Sequence, residues 1–480
     1  MSDPLWSFDT LVAAAGGRAD GAAADAITGL SIDTRSIAPG EVFVALKDQR
    51  DGHEFVTQAF ARGAAAALVL ESYARRPGDG ALIRVADTLD GLRFIARAAR
   101  ARLAPDARVI AVTGSAGKTT TKEMLRACFE ALAPGRVHAS AKSFNNHWGV
   151  PLTLATMPAA TRYAVLEIGM NHAGEITPLT LLARPHVAIV LNVLPAHLGH
   201  FAGVEEIAEA KAEIFAGLEP GGTAILNGSS PHRDRLARRV PPSAARTLVF
   251  GLADQADALD AAITGYADGD ADPLAPVSVT LQLGERTLAY TLAVPGRHIA
   301  ENSAAALLAV CEAGGDVARA AAALAGAGAA TGRGERIRVP LAGGELLLVD
   351  ESYNANPASM AAAIRTAGAA RSGAFPRLVL ALGDMLELGE ASVALHRGLQ
   401  KDVDAVHADL VFASGPHMKA LWEALDPARR GAWGATTKDI AQPLLAALRP
   451  GDVVMVKGSN GSRMAPLVAA IRALAVRGAA

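Results

Sequence analysis

Apolar residues along this chain fall in short runs that end in glycine-rich or polar loops and lead into stretches with helical spacing. The clearest case is Arg108 to Leu132, RVIAVTGSAGKTTTKEMLRACFEAL. Val109 to Val112 reads as a buried strand. Thr113, Gly114, Ser115, Ala116 and Gly117 supply the small residues of a tight turn, and Lys118, Thr119 and Thr120 open an amphipathic helix. In this layout backbone N–H groups and a helix N-terminus cradle phosphates, so the stretch predicts ATP or GTP binding. Lys118 would reach the terminal phosphates and the Thr119 hydroxyl would bind Mg²⁺. The full phosphate-loop pattern asks for a further glycine upstream of Gly114, five before Gly117, where this chain is still in the apolar strand at Val112. The shorter G-x-x-G-K-T also describes a plain turn before a capped helix, but its place between strand and helix favours a nucleotide.

Similar runs recur on both sides. The first 105 or so residues alternate short strands and helices, among them Val42 to Leu46 after the Pro39-Gly40 turn and Ala64 to Leu70. Leu103-Ala104-Pro105-Asp106 reads as a linker. Ser31, Thr34 and Arg35 share one loop, which is either an anion or uridine-diphosphate site or a capped turn with a solvated arginine. Further on, the strand Tyr163 to Met170 carries Glu167 in its C-terminal half. A carboxylate there is costly unless it is paired or holds a cation. The strand His186 to Val193 runs into Leu194-Pro195-Ala196-His197, with His200 close behind; such an imidazole either ligates metal or makes an ordinary hydrogen bond.

In EEIAEAKAEIFAGL, residues Ile207, Lys211, Ile214, Phe215 and Leu218 fall on one helical face. A lysine on an apolar stripe either snorkels to water or, desolvated, becomes a neutral amine. The neutral amine can capture CO₂ as a carbamate, an anionic metal ligand. After Val294-Pro295-Gly296-Arg297, His298 and Asn302 are four apart on one helical face, fit to grip an adenine edge or simply to cap and pack.

From about Gly332 four strand–loop–helix units follow, Leu346 to Val349, Leu378 to Leu382, Asp409 to Ala413 and Val453 to Val456. Their loops carry Asp350, Tyr353, Asn354, Asn356 and Lys457, just past apolar strands, where open α/β sheets bind ligands. At 480 residues the chain should hold roughly two to four domains. A composition of 51% hydrophobic and 20% charged residues with 47 glycines suits a globular α/β protein. The net charge of -2 leaves no electrostatic footprint for nucleic acid. Cys128 and Cys311 are too few for a disulfide framework or a cysteine zinc site. MSDPLWSFDT lacks the basic and apolar regions of a signal peptide, and apolar runs stay below the roughly 18 residues of a spanning helix. The expectation is a cytoplasmic chain without membrane insertion.

TGSAGKTTTKE, LEIGMNHAGEI, NVLPAHLGHF, AKAEIF, PGRHIAEN, VDESYNANPASM and LGDMLELG resemble the motifs of the Mur ligase family, and the resemblance covers essentially the whole chain. It implies three α/β domains: a uridine-nucleotide-binding domain at 1–105, a central phosphate-loop ATPase-like parallel-sheet domain at 106–331, and a Rossmann-like domain at 332–480. It also accounts for the missing first glycine of the pattern, since the family's loop is shortened. By this resemblance Thr119, Glu167, His197 and Lys211 as carbamate hold Mg²⁺. ATP would lie on Thr113 to Thr120, with His298 and Asn302 at adenine, Asp350 at ribose, and Arg333, preferred over Arg336, at the γ-phosphate.

SIDTRSIAPGEVFVAL resembles the family's uridine-binding segment and implies that Ser31, Thr34 and Arg35 bind substrate, Thr34 standing where serine is commoner. SFNNHWGVPLTL, with Asn145 and Asn146, resembles the branch that adds D-alanyl-D-alanine. The diaminopimelate-adding branch carries Asp-Asn-Pro-Arg, whereas here Asn356-Pro357 precedes Ala358. The implied reaction joins UDP-N-acetylmuramoyl-tripeptide to D-Ala-D-Ala through an acyl phosphate, with Tyr353, Asn354, Asn356 and Lys457 also at the substrates and the enzyme a monomer. Two rivals are a folylpolyglutamate-type ligase, which would not be expected to carry this N-terminal domain, and a phosphate-loop switch without ligation.

Overall fold

The computed structural model describes residues 4–477 apart from 25, 142, 197 and 268–271. Among them, strands gather into three sheets that follow one another along the chain. The first runs Arg18–Asp20, Ala81–Val85, Ala66–Leu70, Glu41–Val44, Gly29–Ser31, parallel except for its first member. The third runs Glu335–Leu341, Gly344–Glu351, Asp452–Lys457, Arg377–Gly383, Leu410–Ser414, Arg430–Gly434, again with only the first strand antiparallel.

The central sheet is built around Arg108–Thr113, the strand that feeds the glycine loop. It lies between Tyr163–Glu167, itself flanked by Val137–Ala139, and Val187–Val190, all parallel. Its unbroken apolar run reflects burial on both faces. Val109 and Ala111 enter one core, Ile110 and Val112 the other, as the period of two requires. Beyond Val187–Val190 the sheet continues in parallel through Thr223–Asn227, Arg246–Leu252 and Ala261–Ala267, then turns antiparallel through Val277–Leu283 and Arg286–Leu292. The hairpin was not among the expected elements, although Val277–Leu283 alternates apolar and polar residues ahead of Gly284.

One element departs from its expected form. EEIAEAKAEIFAGL is an α-helix only over Val204–Ala212 and tightens to 3₁₀ over Glu213–Gly217. At the break the Glu213 carboxylate accepts from the N–H groups of Gly174, Ile176 and Thr177 and so caps the helix Ile176–Ala183. Gly217 lies so close to Thr180 that a Cβ would come within 2.1 Å of its carbonyl oxygen. The apolar stripe survives the change: Ile207, Lys211, Ile214 and Phe215 are all buried.

The first two sheets share a hydrophobic core that spans Trp6 to Leu236. The helix Thr88–Ala101 lies between them, packed on Gly149–Ala155 and Ile176–Ala183. Two arginines close this seam. Arg100 donates to the carbonyls of Ala183 and Arg184 and pairs with Glu219 at 3.2 Å. Arg102 donates to the carbonyls of Leu5 and Met157, and its guanidinium sits 3.7 Å from the Trp6 ring centroid while that indole donates to Ala155.

Arg102→Ala strips two buried carbonyls of their donor, and should lower the melting temperature by about 4–8 °C in a thermal scan. His186 gives the seam a pH dependence. Its Nδ1 accepts from the Val109 N–H, and burial, reinforced by Arg100 and Arg108, lowers its pKa to about 4. The unfolded chain, with a histidine pKa of about 6.5, binds the proton first. His186 therefore contributes stability that is full above about pH 6.5 and is lost as pH falls toward 4. His186→Gln should flatten the decline in melting temperature over that window; an unchanged decline would exclude His186 as its source.

Candidate active site

A cleft of about 620 Å³ opens at the C-terminal ends of the central strands and is closed from the other side by loops of the third domain. The glycine loop forms its floor. Gly117 has φ 83°, and a Cβ there would meet Asn302 Nδ2 at 2.8 Å, so the loop needs glycine both for its turn and for close approach to the helix Arg297–Glu312. Asn192 brackets the loop, its Oδ1 accepting from the Ala116 N–H at 2.9 Å, while Ser115 Oγ donates to the Leu194 carbonyl. Lys118 Nζ folds back onto the Gly114 carbonyl at 2.6 Å. Burial lowers its pKa, opposed by Glu167 and reinforced by Arg333. Thr120 lines the cleft, whereas Thr113 is fully buried at the strand end.

Glu167 is 1% exposed at the end of its strand. Thr119 Oγ1 donates to its Oε2 at 2.8 Å and Asn145 Nδ2 to its Oε1 at 2.7 Å. Ser143 Oγ lies 3.4 Å from Thr119 Oγ1 and accepts from Arg333 Nη2 at 3.3 Å. A continuous polar chain thus links Arg333 of the third domain to the carboxylate beneath the phosphate loop. The Arg333 guanidinium also rests 4.1 Å from the Tyr353 ring centroid. Arg336 points to the Pro273 carbonyl at the outer end of the cleft.

Lys211 is 2% exposed, and burial holds its amine well below the ordinary lysine range, with the Lys118 charge acting in the same sense. No acid among the described residues forms an ion pair with it. His197 lies outside the described residues; the short helix Leu198–His200 that follows touches the third domain, where the Gly199 N–H donates to the Glu387 carbonyl.

Other expected site residues are placed differently. Asp350 is turned away from the cleft. Its Oδ1 accepts from the N–H and hydroxyl of Ser352, and Oδ2 is 4.0 Å from Arg472. Consecutive strand residues face opposite sides, so Glu351 takes the cleft position instead and pairs with Lys457 Nζ at 3.1 Å. Asn146 does not line the cleft: its Oδ1 accepts from the N–H groups of Trp148 and Gly149 at the start of the helix Gly149–Ala155. Asn356 caps the helix Pro357–Ala369 and reaches the Ser115 carbonyl at 3.4 Å, and the Asn354 carbonyl holds Lys457. His298 and Asn302 face the cleft together, burial keeping the imidazole pKa low.

Ser31, Thr34 and Arg35 sit apart on the first domain. Ser31 Oγ closes a turn with Asp33, Thr34 Oγ1 donates to Gln58, and Arg35 is solvated and paired with Asp33. Glu351, Glu301, Asn192 and Ser143 also line the cleft and were not among the expected residues. Glu301 falls at helical spacing from His298, which would have found it, whereas Glu351 adjoins Asp350 at a strand end where alternation alone does not say which of the two faces the cleft.

The arrangement is a phosphate-binding floor with a cation-ready carboxylate, faced by basic and amide groups from another domain. The chain belongs to the Mur ligase family: residues 112–310 match the Mur ligase middle domain and 332–460 the Mur ligase, glutamate ligase domain. The family is one of ATP-dependent ligases. The UDP-N-acetylmuramoyl-tripeptide–D-alanyl-D-alanine ligase of Escherichia coli is 35% identical, across 93% of this chain and 94% of that one. MurF from Acinetobacter baumannii superposes with a TM-score of 0.82 at 29% identity, over 97% of this chain and 98% of that one. MurF ligase from Thermotoga maritima in complex with ADP does so at 0.76 and 25% identity, over 94% and 98%.

Lys118→Ala should lower kcat at least about a hundredfold with an unchanged circular dichroism spectrum. Glu167→Gln should move the Mg²⁺ dependence of phosphate release to higher concentration. An unaltered Mg²⁺ titration would remove Glu167 from the metal site.

Proposed function

We propose that this enzyme joins UDP-N-acetylmuramoyl-tripeptide to D-Ala-D-Ala at the expense of ATP, completing the pentapeptide precursor of peptidoglycan in the cytoplasm. The observation that carries the proposal is the polar chain from Arg333 through Ser143 and Thr119 to Glu167. It aims an arginine of one domain and the phosphate loop of another at a single position. The relatives named above supply the substrates.

In the reaction, an oxygen of the tripeptide's terminal carboxylate attacks the γ-phosphorus, the bond to ADP breaks, and an acyl phosphate forms. The amine of D-Ala-D-Ala then attacks the acyl carbon, losing a proton as phosphate leaves. The first step brings two anions together, which calls for cationic groups fixed in advance. Lys118 swings from the Gly114 carbonyl to the β- and γ-phosphates, and Arg333 meets the transferring phosphoryl group. Glu167 and Thr119 offer oxygen ligands that fit a divalent cation, the buried carboxyl accepting only from neutral donors among the described residues with the Lys118 charge nearby. His197 and Lys211 as a carbamate complete the proposed ligand set, and Mg²⁺ held there would neutralise phosphate charge. Glu351, rather than Asp350, lies where a ribose hydroxyl would donate. Lys457 and the loop Tyr353 to Asn356 face the acceptor dipeptide, and Ser31, Thr34 and Arg35 form the uridine end.

Phosphate release should require both UDP-N-acetylmuramoyl-tripeptide and D-Ala-D-Ala, with a pentapeptide product by mass. Release with free diaminopimelate instead would move the enzyme to a sister activity, and nucleotide binding without any acceptor dependence would leave only a switch. In ¹³C-bicarbonate, a carbamate carbon resonance should appear and vanish in Lys211→Ala; its absence from the wild-type protein would exclude the modification.

A further inference from the structure

The helix Arg297–Glu312 offers three side chains to the cleft, His298, Glu301 and Asn302, at the i, i+3, i+4 spacing of one face. Asn302 touches the phosphate loop at Gly117, so the positions toward the helix start lie progressively farther from the phosphates, where a base would sit. Glu301 lines both this cleft and an adjoining cavity of about 790 Å³. Its Oε1 is buried and has no hydrogen-bond partner. A buried polar atom left unsatisfied is expensive, and a carboxyl oxygen more so than most. The nearest cation on its own helix, Arg297, is engaged with Asp254 at 2.5 Å.

We infer that Glu301 reads the nucleobase of the bound nucleotide as a neutral carboxylic acid, accepting from the 6-amino group of adenine and donating its proton to ring N1. The inference rests on the ATP reading of the cleft. A neutral carboxylic acid carries one donor and one acceptor side by side, which is the complement of adenine's N1 and N6 edge. An ionised carboxylate carries acceptors only and would oppose N1. The surroundings favour the neutral form. Burial raises the Glu301 pKa to about 7, assisted by Asp254 and opposed by Arg297 and the Asn227 side chain. His298 beside it is kept neutral by burial, and Arg336 and Arg365 face it across the cavity. Docking an apolar base over the group removes more water and carries the shift in the same direction. Guanine's N1 and 2-amino donors instead match the two oxygens of the ionised carboxylate, so a preference for GTP would mark the ionised form.

The test is equilibrium binding of ATP, purine riboside triphosphate, which lacks the 6-amino group, and GTP to wild type, Glu301→Gln and Glu301→Ala. A glutamine amide keeps one donor and one acceptor, so Glu301→Gln should bind ATP within about threefold of wild type. Glu301→Ala should lose tenfold or more on ATP and bind ATP and the purine analogue alike, while wild type prefers ATP by about tenfold. ATP affinity of wild type should fall as pH rises above about 7, and that of Glu301→Gln should stay flat. The inference is overturned if Glu301→Ala keeps the wild-type preference for ATP over the purine analogue, or if wild type binds GTP more tightly than ATP. Because binding is read without turnover, loss of the ligase assignment would show separately, as phosphate release independent of the acceptor.

Discussion

The carboxyl group of Glu167 is buried at the end of the strand Tyr163–Glu167, 1% exposed, and among the described residues it accepts from the hydroxyl of Thr119 and the amide of Asn145. Both donors are neutral, so an acid placed there depends on cationic charge close by, and the Lys118 ammonium is the charge that the chain itself supplies. Much else in the molecule follows from that constraint. The strand must end beside Arg108–Thr113 to bring Glu167 under Thr119, and it does so because the two strands pair in parallel from Arg108 opposite Tyr163 to Val112 opposite Glu167. Asn145 must be held by a loop whose own backbone is satisfied, which Asn146 secures by capping the next helix. Of the two asparagines expected to touch substrate, Asn146 thus supports Asn145, which touches Glu167.

The same economy governs the domains. The first two share a core and are pinned by Arg100 and Arg102, so the uridine-side loop and the phosphate loop sit on one body. At the cleft the third domain meets that body through polar contacts, Arg333 to Ser143, Asn356 to Ser115, and Glu387 to Gly199, while at its outer end Arg338 pairs with Asp272 and Leu274 packs on the third domain's core. Polar contacts of this kind exchange readily with substrate groups, whereas a shared apolar core does not open. The division of labour is a rigid two-domain platform and a third domain whose closure assembles the site.

The sequence carried more of this than its loops alone suggest. The phosphate loop, the buried carboxylate of Glu167 and the desolvated lysine at 211 each break a local rule, and a broken rule is visible without a fold. Lys211 on an apolar stripe was legible even though the helix beneath it tightens after Ala212. Asp350 failed for the opposite reason. In a strand buried on both faces every residue near the end is apolar or acidic, so the pattern does not reveal which of Asp350 and Glu351 faces the cleft; the antiparallel partner Glu335–Leu341 and the parallel partner Asp452–Lys457 fix that. The antiparallel extension beyond Ala261–Ala267 does carry a local signal, since Val277–Leu283 alternates apolar and polar positions and meets Arg286–Leu292 across Gly284-Glu285; what the sequence leaves open is its attachment to the edge of the central sheet.

The resting positions of the cationic groups carry the synthesis one step further. Lys118 is held by the Gly114 carbonyl, Lys457 by Glu351 and the Asn354 carbonyl, and Arg333 by Ser143 and the Tyr353 ring. None of the three is left as a bare charge in a desolvated cleft. Each acceptor is a protein group that a phosphate, carboxylate or ribose oxygen can replace, so binding exchanges one partner for another rather than creating contacts from nothing. The net gain is largest where the incoming oxygen bears full negative charge, and charge on the transferring group is redistributed as it moves. Because the exchanging groups sit on two domains, stabilisation becomes complete only when ATP and the closed third domain are present together. Simple ATP hydrolysis is then disfavoured by the same geometry that promotes ligation.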